Sequence, residues 1–292
     1  MKIIDTTTYF EEKIMMNLRF NILNQYVDNF IVSEARFTHS GKKKDIYFKK
    51  SDYPEFEDKI THLIIDKEPA DIIKKEKLDQ IDLRLNSIKR IRAQRDNLML
   101  KLKDFSSEDY IIHSDNDEIP NLEAFDFKKN NSKIIIFKQK LFYYKFNLLM
   151  PNVNWYGSKV CKVKNLKSID WLRCIKSKKY SFFRFDTLFS DIKYQSVKIV
   201  KNGGWHFSNL KNFKELERKY LNDENHAEYE ALGNSIDSIK NNLKNKTIDY
   251  DHSAKKNSNS RFNSSKLETI DISTLPKFIQ SNKNNYLDWF DL

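Results

Sequence analysis

The feature that most constrains the fold is an alternation of apolar, strand-like runs with helical patterns over the first 120 residues. Apolar side chains recur at helical spacing in residues 8–27 and 72–102. Strand-like runs occur at residues 29–34, 59–66 and 110–115. Because strands that alternate with helices form a sheet covered on both faces, we predict an α/β fold with a mostly parallel central sheet flanked by helices.

The rest of the chain continues the same pattern. Residues 133–138 form another strand-like run, and residues 196–208 predict a strand, a glycine turn and a second strand. Thr6–Thr8 are expected to cap the first helix. No repeat or domain boundary is visible, so residues 1–292 are expected to form a single domain. A composition rich in Ser, Asn and Lys predicts a mobile polar loop at residues 253–266, after which apolar residues pack back on the core.

The net charge of +11 and the pI of about 9.3 favour anionic partners, namely nucleic acid, membrane headgroups or phosphorylated ligands. Biased base composition is the alternative explanation for the many lysines. Cys161 and Cys174 are too few for a disulfide framework or a Cys-rich zinc site. No apolar run approaches the ~20 residues that span a bilayer, and residues 1–28 lack the order of a signal peptide. We therefore expect a cytoplasmic protein with peripheral contact at the inner face of the membrane.

Three carboxylates, Asp115, Asp117 and Glu118, come after the apolar run that ends at Ile112. In extended backbone the two aspartates lie on the same side, and carboxylates about 4 Å apart repel by roughly 4 kcal/mol at an effective dielectric near 20. A divalent cation relieves this repulsion, and oxygen ligands suit Mg²⁺ or Mn²⁺. The alternative is a solvated acidic turn that begins a helix, with Pro120 at an early helical position.

Two other segments carry groups that suit a phosphate or a ribose. The loop after the first predicted strand has the hydroxyls of Thr38 and Ser40, then Gly41 and three lysines. Gln94 and Arg95 lie in a helical context, where a guanidinium can pair with a diphosphate or a carboxylate. An ordinary basic surface loop and a solvated helix face are the alternatives.

The segment NGGWHFS places two of the five glycines beside Trp205 and His206. Paired glycines permit a tight turn or the close approach of a ligand. Trp205 can stack on a sugar ring, and a neutral His206 can bind a metal ion. The alternative is a hairpin turn with a core tryptophan and a hydrogen-bonded histidine.

Five segments, in order, resemble glycosyltransferase family 17, the family of β-1,4-mannosyl-glycoprotein β-1,4-N-acetylglucosaminyltransferases. They are LRFNILNQYVDNFIVSEARFTHSGKKK, AQRD, YIIHSDNDEIP, NGGWHFS and LPKFI, and together they cover most of the chain from residue 10 to residue 278. The resemblance implies a GT-A type glycosyltransferase fold. It also implies a metal-dependent, inverting transfer of a sugar, N-acetylglucosamine by analogy, from a UDP-sugar donor to a glycan acceptor.

The same resemblance assigns roles to individual residues. Asp115, Asp117 and His206 are expected to hold Mn²⁺ or Mg²⁺, with Asp117 the more direct ligand and Asp115 nearer the ribose or a metal-bound water. The positions that match the donor-binding segments are Glu34, Thr38, Ser40, Gly41, Gln94, Arg95 and Asp115.

The reaction also needs a base and a surface for the sugar. Glu118 and Asp186 are the candidates for the catalytic base that deprotonates the acceptor hydroxyl. Trp155 or Trp205 is expected to provide the aromatic surface on which sugar rings stack. The chain lacks the membrane anchor of the animal members of the family, so we expect a bacterial or viral surface polysaccharide as acceptor rather than an N-glycan.

Two other functions would use the same residues. A basic nucleic-acid-binding protein or a metal-dependent nuclease also combines aromatic residues, lysines and an acidic metal site. The lysines show no clustering on one helix, however, so we expect no specific nucleic-acid partner. A catalytically inactive sugar-binding relative is the third hypothesis, and the intact acidic triplet with His206 argues against it.

Overall fold

The described part of the chain consists of helices packed on a large central sheet. The computed structural model describes residues 1–178, 180, 183–187, 189–194, 196–224, 226–231, 236–248 and 265–292. Of the polar loop predicted at residues 253–266, all but the last two residues lie outside the described ranges. None of the described helices is both long enough and apolar enough to cross a bilayer.

Four parallel strands form one half of the sheet. Their order is β4 (Tyr110–His113), β1 (Ile3–Tyr9), β2 (Asn29–Ala35) and β3 (Ile60–Ile65). Helix α1 (Lys13–Leu23) connects β1 to β2, as parallel neighbours require a crossover connection. The three strands predicted in this half are confirmed. Because they are parallel, β1, β2 and β4 all end at the same edge of the sheet.

The other half of the sheet is largely antiparallel, which corrects the predicted mostly parallel sheet to a mixed one. β8 (Trp155–Lys162) lies antiparallel to both β4 and β6 (Ile134–Tyr143). Between β6 and β8 the chain holds only β7 (Leu148–Leu149) and turns, too little for the crossover helix that a parallel pair needs. The described residues thus form a mixed α/β fold with an 11-stranded sheet.

The predicted strand, glycine turn and strand are present, but they do not form a hairpin. β9 (Val197–Val200) and β10 (Gly204–Ser208) both run parallel to β6, each beside a different part of it. β10 also pairs antiparallel with β5 (Glu118–Pro120). Gly204 has a φ of +124°, and a Cβ there would lie 2.2 Å from the carbonyl oxygen of Ile119. Only glycine permits β10 to approach β5 so closely.

The remaining helices cover the sheet, and short strands pair near the end of the chain. The C-terminal segment packs back on the core as predicted, with Ile279 and Phe290 buried. The other elements are α2 (Gln80–Asp96), α3 (Met99–Leu102), α4 (Ile169–Cys174), α5 (Phe213–Tyr220), α6 (His226–Ala231), α7 (Ile236–Asn245), α8 (Lys277–Ser281), β11 (Thr247–Ile248), β12 (Ser265–Lys266) and β13 (Glu268–Thr269).

β1 is one of the strands that the sequence patterns did not reveal, and β8 is another. The β1 segment, IIDTTTY, is polar, and the prediction that Thr6–Thr8 cap a helix is wrong. The hydroxyl of Thr6 donates to the carbonyl of Ile112 at 2.8 Å, and that of Thr7 donates to the carbonyl of Ser114 at 3.0 Å. These hydrogen bonds satisfy the buried hydroxyls, so a polar strand is stable at the centre of the sheet.

A buried ion pair joins Asp5 of β1 to Arg19 of α1. The two side chains are 1% and 0% exposed, and the guanidinium donates to both carboxylate oxygens, at 2.6 and 2.7 Å. Its Nη1 donates to the carbonyl of Glu118 at 2.8 Å. Arg19 therefore holds α1 against β1 and also fixes the start of β5.

Replacement of this arginine tests its importance for stability. Arg19→Met should lower the free energy of unfolding by about 3–5 kcal/mol, because Asp5 is left buried and without its counterion. The matched control is Lys101→Met, which removes the exposed pair with Asp104 and should cost at most about 1 kcal/mol. Urea unfolding followed by circular dichroism measures both losses. Equal losses of stability in the two variants would contradict a stabilising role of the buried Arg19–Asp5 pair.

Candidate functional site

The candidate active site lies where β4 ends and the chain turns into β5. Residues 114–117 connect the two strands, and the N–H of Glu118 donates to the carbonyl of Asp115 at 3.1 Å. The extended backbone assumed for Asp115 and Asp117 is therefore wrong, because this tight turn separates the directions of their side chains. The alternative, an acidic turn that begins a helix, is wrong as well, since Glu118 begins a strand.

The carboxylate of Asp115 is held between two arginines. Arg173 of α4 donates to Oδ2 through Nε at 2.9 Å and through Nη2 at 2.7 Å, and Arg95 of α2 donates to Oδ1 at 3.0 Å. Burial favours the protonated acid, but Arg173 and Arg95 outweigh it and hold the pKa of Asp115 well below its usual value. Asp115 is therefore ionised, and both of its oxygens are engaged.

Asp117 faces β10 and α5 instead. Nε2 of His206 lies 3.2 Å from Oδ1 of Asp117, and Nζ of Lys219 lies 3.9 Å from Oδ2. Burial again opposes ionisation, but His206 and Lys219 lower the pKa of Asp117 below its usual value. The backbone is fixed as well, because the carbonyl of Asp117 accepts from the N–H of Phe207 at 2.8 Å. The structure thus brings two of the predicted metal ligands together.

Glu118 is fully buried between the two aspartate sites. Its Oε1 accepts from the indole N–H of Trp155 at 2.7 Å, and its Oε2 accepts from the N–H of Asp115 at 3.2 Å. Burial raises the pKa of Glu118 above its usual value, and Asp115 adds to the rise while Arg173 opposes it. The Trp155 ring also lies 4.5 Å from the His206 ring, centroid to centroid, so Trp155 connects both parts of the cluster.

The donor atoms present fit a divalent cation at Asp117 and His206, but not at Asp115 in this arrangement. His206 offers Nε2, and its buried Nδ1 has no hydrogen-bond partner within the described residues. The oxygens of Asp115 are occupied by guanidinium groups. No group of three or more His, Cys, Asp or Glu side chains placed for a metal occurs in the described part of the chain. A cation here would need water and substrate phosphates as further ligands, as Mg²⁺ commonly does.

The predicted phosphate loop is folded against α2 and the segment after α5. The hydroxyls of Thr38 and Ser40 lie 2.8 Å apart, and the Ser40 hydroxyl donates to Oδ1 of Asn222 at 3.3 Å. Gly41 has a φ of +92°, and a Cβ there would lie 2.5 Å from the guanidinium of Arg90. The glycine is what allows the loop to close on α2.

Gln94 joins this loop to the ends of two strands. Its amide nitrogen donates to the carbonyls of Tyr9 and Ser33 at 3.1 and 3.0 Å, and its Oε1 lies 3.2 Å from Nε2 of His39. Since an amide oxygen only accepts, Nε2 of His39 carries the proton. Burial lowers the pKa of His39 to about 4, and the hydrogen bond to Gln94 offsets this only in part.

Glu34, which the resemblance places at the donor, lies in an enclosed position at the end of β2. Its Oε1 accepts from Nζ of Lys44 at 2.6 Å and from the N–H of Tyr47 at 2.9 Å, and its Oε2 accepts from the N–H of Phe48 at 3.1 Å. Burial opposes ionisation, but His62 and Lys44 bring the pKa of Glu34 below its usual value. Glu34 thus anchors the chain after β2, and its contact with a donor stays a prediction.

The two tryptophans predicted to stack on sugar take different positions. Side chains alternate along β10, so Trp205 lies on the opposite face from His206. The indole N–H of Trp205 donates to the carbonyl of Thr274 at 2.8 Å, which places it against the C-terminal segment. Trp155 is the one that the structure brings to the acidic turn.

The two candidates for the base are separated as well. Asp186 is exposed, and its oxygens accept from Arg184 at 2.7 Å and from Lys193 at 2.9 Å. Glu118 lies inside the acidic cluster. Of the two, only Glu118 is in contact with another residue of the candidate site.

The sequence analysis missed three basic residues of the site, Arg173, Lys219 and Lys159. Arg173 is 58 positions from Asp115 in the chain. Lys159 is buried in β8 and donates to the carbonyls of Arg173 and Ile175, the latter at 2.7 Å, so it holds the end of α4 in place. Burial lowers the pKa of Lys159 to about 7, and the nearby Arg173 contributes to the decrease. In a chain with 52 Lys and Arg residues, no local signal distinguishes these three.

Comparison with known proteins gives one match to a family. A model described as Glycosyltransferase family 17 matches residues 1–221 of this chain. No curated protein matches it. Among solved structures, mannose-6-phosphate isomerase from Helicobacter pylori is 11% identical, with 69% of this chain and 97% of that chain covered and a TM-score of 0.33. HddC from Yersinia pseudotuberculosis is also 11% identical, with 70% and 92% covered and a TM-score of 0.28. Likenesses at these TM-scores carry no argument about function.

The neutral, half-buried His39 predicts a pH dependence of stability. Between about pH 4 and 6.5 the unfolded chain binds a proton at this residue and the folded chain does not, so stability rises with pH across that window. Lowering the pH from 7 to 5 should therefore cost on the order of 1–2 kcal/mol through His39.

The variant His39→Gln isolates this contribution, because all other titrating groups are shared with the wild type. Urea unfolding at pH 7 and pH 5 should show a larger loss in the wild type than in His39→Gln, by that amount. Identical losses in the two proteins would contradict a neutral His39 in the folded state.

Proposed function

Because this chain belongs to glycosyltransferase family 17, we propose that it transfers N-acetylglucosamine from a UDP-sugar to a glycan acceptor in a metal-dependent, inverting reaction. Glycosyl transfer, with a nucleotide-sugar donor and a glycan acceptor in general, follows from the family. The choice of sugar and nucleotide, the metal and the inversion are our proposal. The observation that carries it is the contact of Asp117 with His206 at the carboxyl edge of the parallel strands.

The sheet supports a GT-A type fold as part of this proposal. In parallel α/β sheets, ligands bind beyond the carboxyl ends of the strands. The loop of Thr38 to Gly41, Gln94 and the acidic turn all lie at such ends, after β1, β2 and β4. A nucleotide placed there would have the loop hydroxyls and the acidic turn along the same edge of the sheet.

Asp117 and His206 would hold Mn²⁺ or Mg²⁺ through a carboxylate oxygen and Nε2. When bound, such an ion supplies positive charge that stabilises the leaving diphosphate. Lys219 contributes further positive charge on the same side, 3.9 Å from Asp117. Asp115 would take part in donor binding from the side of the turn that faces Arg95 and Arg173.

Trp155 and Glu118 are the residues that we assign to sugar and acceptor. The ring of Trp155, beside His206, suits stacking on a pyranose. Glu118 would remove the proton from the acceptor hydroxyl, whose oxygen attacks the anomeric carbon as the diphosphate leaves from the opposite face. A raised pKa suits a base that works near neutral pH. Since Glu118 accepts from the indole of Trp155, this role requires that indole to move first.

The site of action is inferred from charge. The net charge of +11 supports contact with an anionic membrane surface, and we propose that the protein acts in the cytoplasm at the inner face of the membrane on a bacterial or viral surface polysaccharide. The net charge also suits a nucleic acid, but the family match favours glycosyl transfer over that alternative.

Donor hydrolysis with a panel of nucleotide sugars and Mn²⁺ tests the proposal. UDP-N-acetylglucosamine should be hydrolysed fastest, chelation by EDTA should stop the reaction, and Mn²⁺ should restore it. Asp117→Asn and His206→Gln should each lower the rate by roughly 100-fold or more, because transition-state charge is no longer compensated.

The control is Asp126→Asn, which changes an exposed carboxylate paired with Lys129 and should leave the rate unchanged. Equal unfolding midpoints would establish that all variants are folded. Wild-type rates in Asp117→Asn would remove the metal role, and hydrolysis of no nucleotide sugar would remove the proposed function.

A further inference from the structure

We propose that Arg173 and Arg95 form the binding site for the diphosphate of the donor, and that Asp115 occupies this site until the donor displaces it. The inference rests on the proposed function for the identity of the ligand. It gives a role to Arg173, which no sequence motif indicated, and changes the role of Asp115 in the unliganded protein from metal ligand to internal competitor.

The first argument is the geometry of the contact. Arg173 places Nε and Nη2 on one carboxylate oxygen, at 2.9 and 2.7 Å, and Arg95 places Nη2 on the other at 3.0 Å. Guanidinium groups present planar, fixed donors that match phosphate oxygens as well as carboxylate oxygens. An anion bound between two arginines in this way has the contacts of a bound phosphate.

The second argument is that both arginines are held by groups other than Asp115. Nη1 of Arg95 lies 3.1 Å from Oδ1 of Asp170, and Nη2 of Arg173 lies 3.5 Å from Oε1 of Glu118. The end of α4 is fixed by Lys159, which donates to the carbonyls of Arg173 and Ile175. The pair is therefore preorganised, and it would keep its spacing if the carboxylate left.

The third argument concerns access and charge. The side chains of Arg95, Arg173 and Asp115 are 17%, 20% and 27% exposed, so an anion from solvent can reach the guanidinium groups. Asp115 lies in the connection between β4 and β5, and the proposal requires its side chain to rotate away from the arginines. Asp170 and Glu118 each face one of the two guanidinium groups, whereas Asp115 faces both. A diphosphate would replace the single charge of Asp115 with at least two negative charges.

Displacement also reconciles the two roles expected of Asp115. With a diphosphate on the arginines, the carboxylate would be released on the same turn as Asp117, where an ion held by Asp117 and His206 could use it. The same residue would then be a counterion before binding and available to the metal side afterwards.

Binding of inorganic pyrophosphate and of UDP in EDTA, measured by calorimetry, tests the inference without turnover. Arg173→Gln and Arg95→Gln should each weaken pyrophosphate binding roughly tenfold or more. Asp115→Asn should strengthen it several-fold, because a neutral amide competes less well for the arginines. Loss of structure cannot produce this increase, and a metal-ligand role alone does not predict it.

Arg92→Gln is the matched control, since Arg92 lies on the same helix, pairs with the same Asp170 and does not touch Asp115. It should bind pyrophosphate like the wild type. Arg173→Lys keeps the charge but loses the planar set of guanidinium donors, so it should bind pyrophosphate with intermediate affinity. Unfolding midpoints of all these variants establish that they are folded.

Unchanged or weaker pyrophosphate binding by Asp115→Asn, or unchanged binding by Arg173→Gln, would overturn the inference. Binding of pyrophosphate by neither the wild type nor Asp115→Asn would overturn it as well. The proposed function is judged separately, by hydrolysis of UDP-N-acetylglucosamine with Mn²⁺. Active wild type with unaltered pyrophosphate binding in the variants rejects the arginine site alone.

Discussion

The buried pair of Arg19 and Asp5 is the interaction on which the rest of the structure depends. Two charges without access to water are stable together only when their geometry is good and their remaining hydrogen bonds are made. Arg19 meets both conditions, with two bonds to Asp5 and a third to the carbonyl of Glu118. The central strand, the first helix and the strand after the acidic turn are therefore fixed relative to one another by one side chain.

The acidic turn then distributes its three carboxylates among different partners. Asp115 faces two arginines, Asp117 faces His206 and Lys219, and Glu118 accepts from Trp155. The charges of both aspartates are thereby compensated locally, and the mutual repulsion expected from the sequence is relieved by the protein's own cations. The same cations are what the proposed diphosphate ligand would require.

The sequence predicted three strands of the parallel half and the acidic segment after β4, because both are local patterns, such as apolar runs at residues 29–34 and 110–115 with charged residues after them. It did not predict the antiparallel half, since an apolar run such as β6 has the same composition whichever way its neighbours run. β1 was missed because Asp5 and three threonines make it look polar, and only the distant Arg19 and Ile112 explain their burial. Arg173 was missed because its partner lies 58 positions away.

The alternation of side chains along β10 links the C-terminal segment to the candidate active site. Trp205 and His206 are neighbours on one strand, so the hydrogen bond from the indole to Thr274 helps to fix the strand that carries the imidazole beside Asp117. The segment that receives the indole lies beyond residues 1–221, where the family match ends. Thr274 accepts this hydrogen bond with its backbone carbonyl, a group that every amino acid carries. Residue 274 can therefore carry a different side chain and still accept from the indole, provided that the path of the backbone over the indole is preserved.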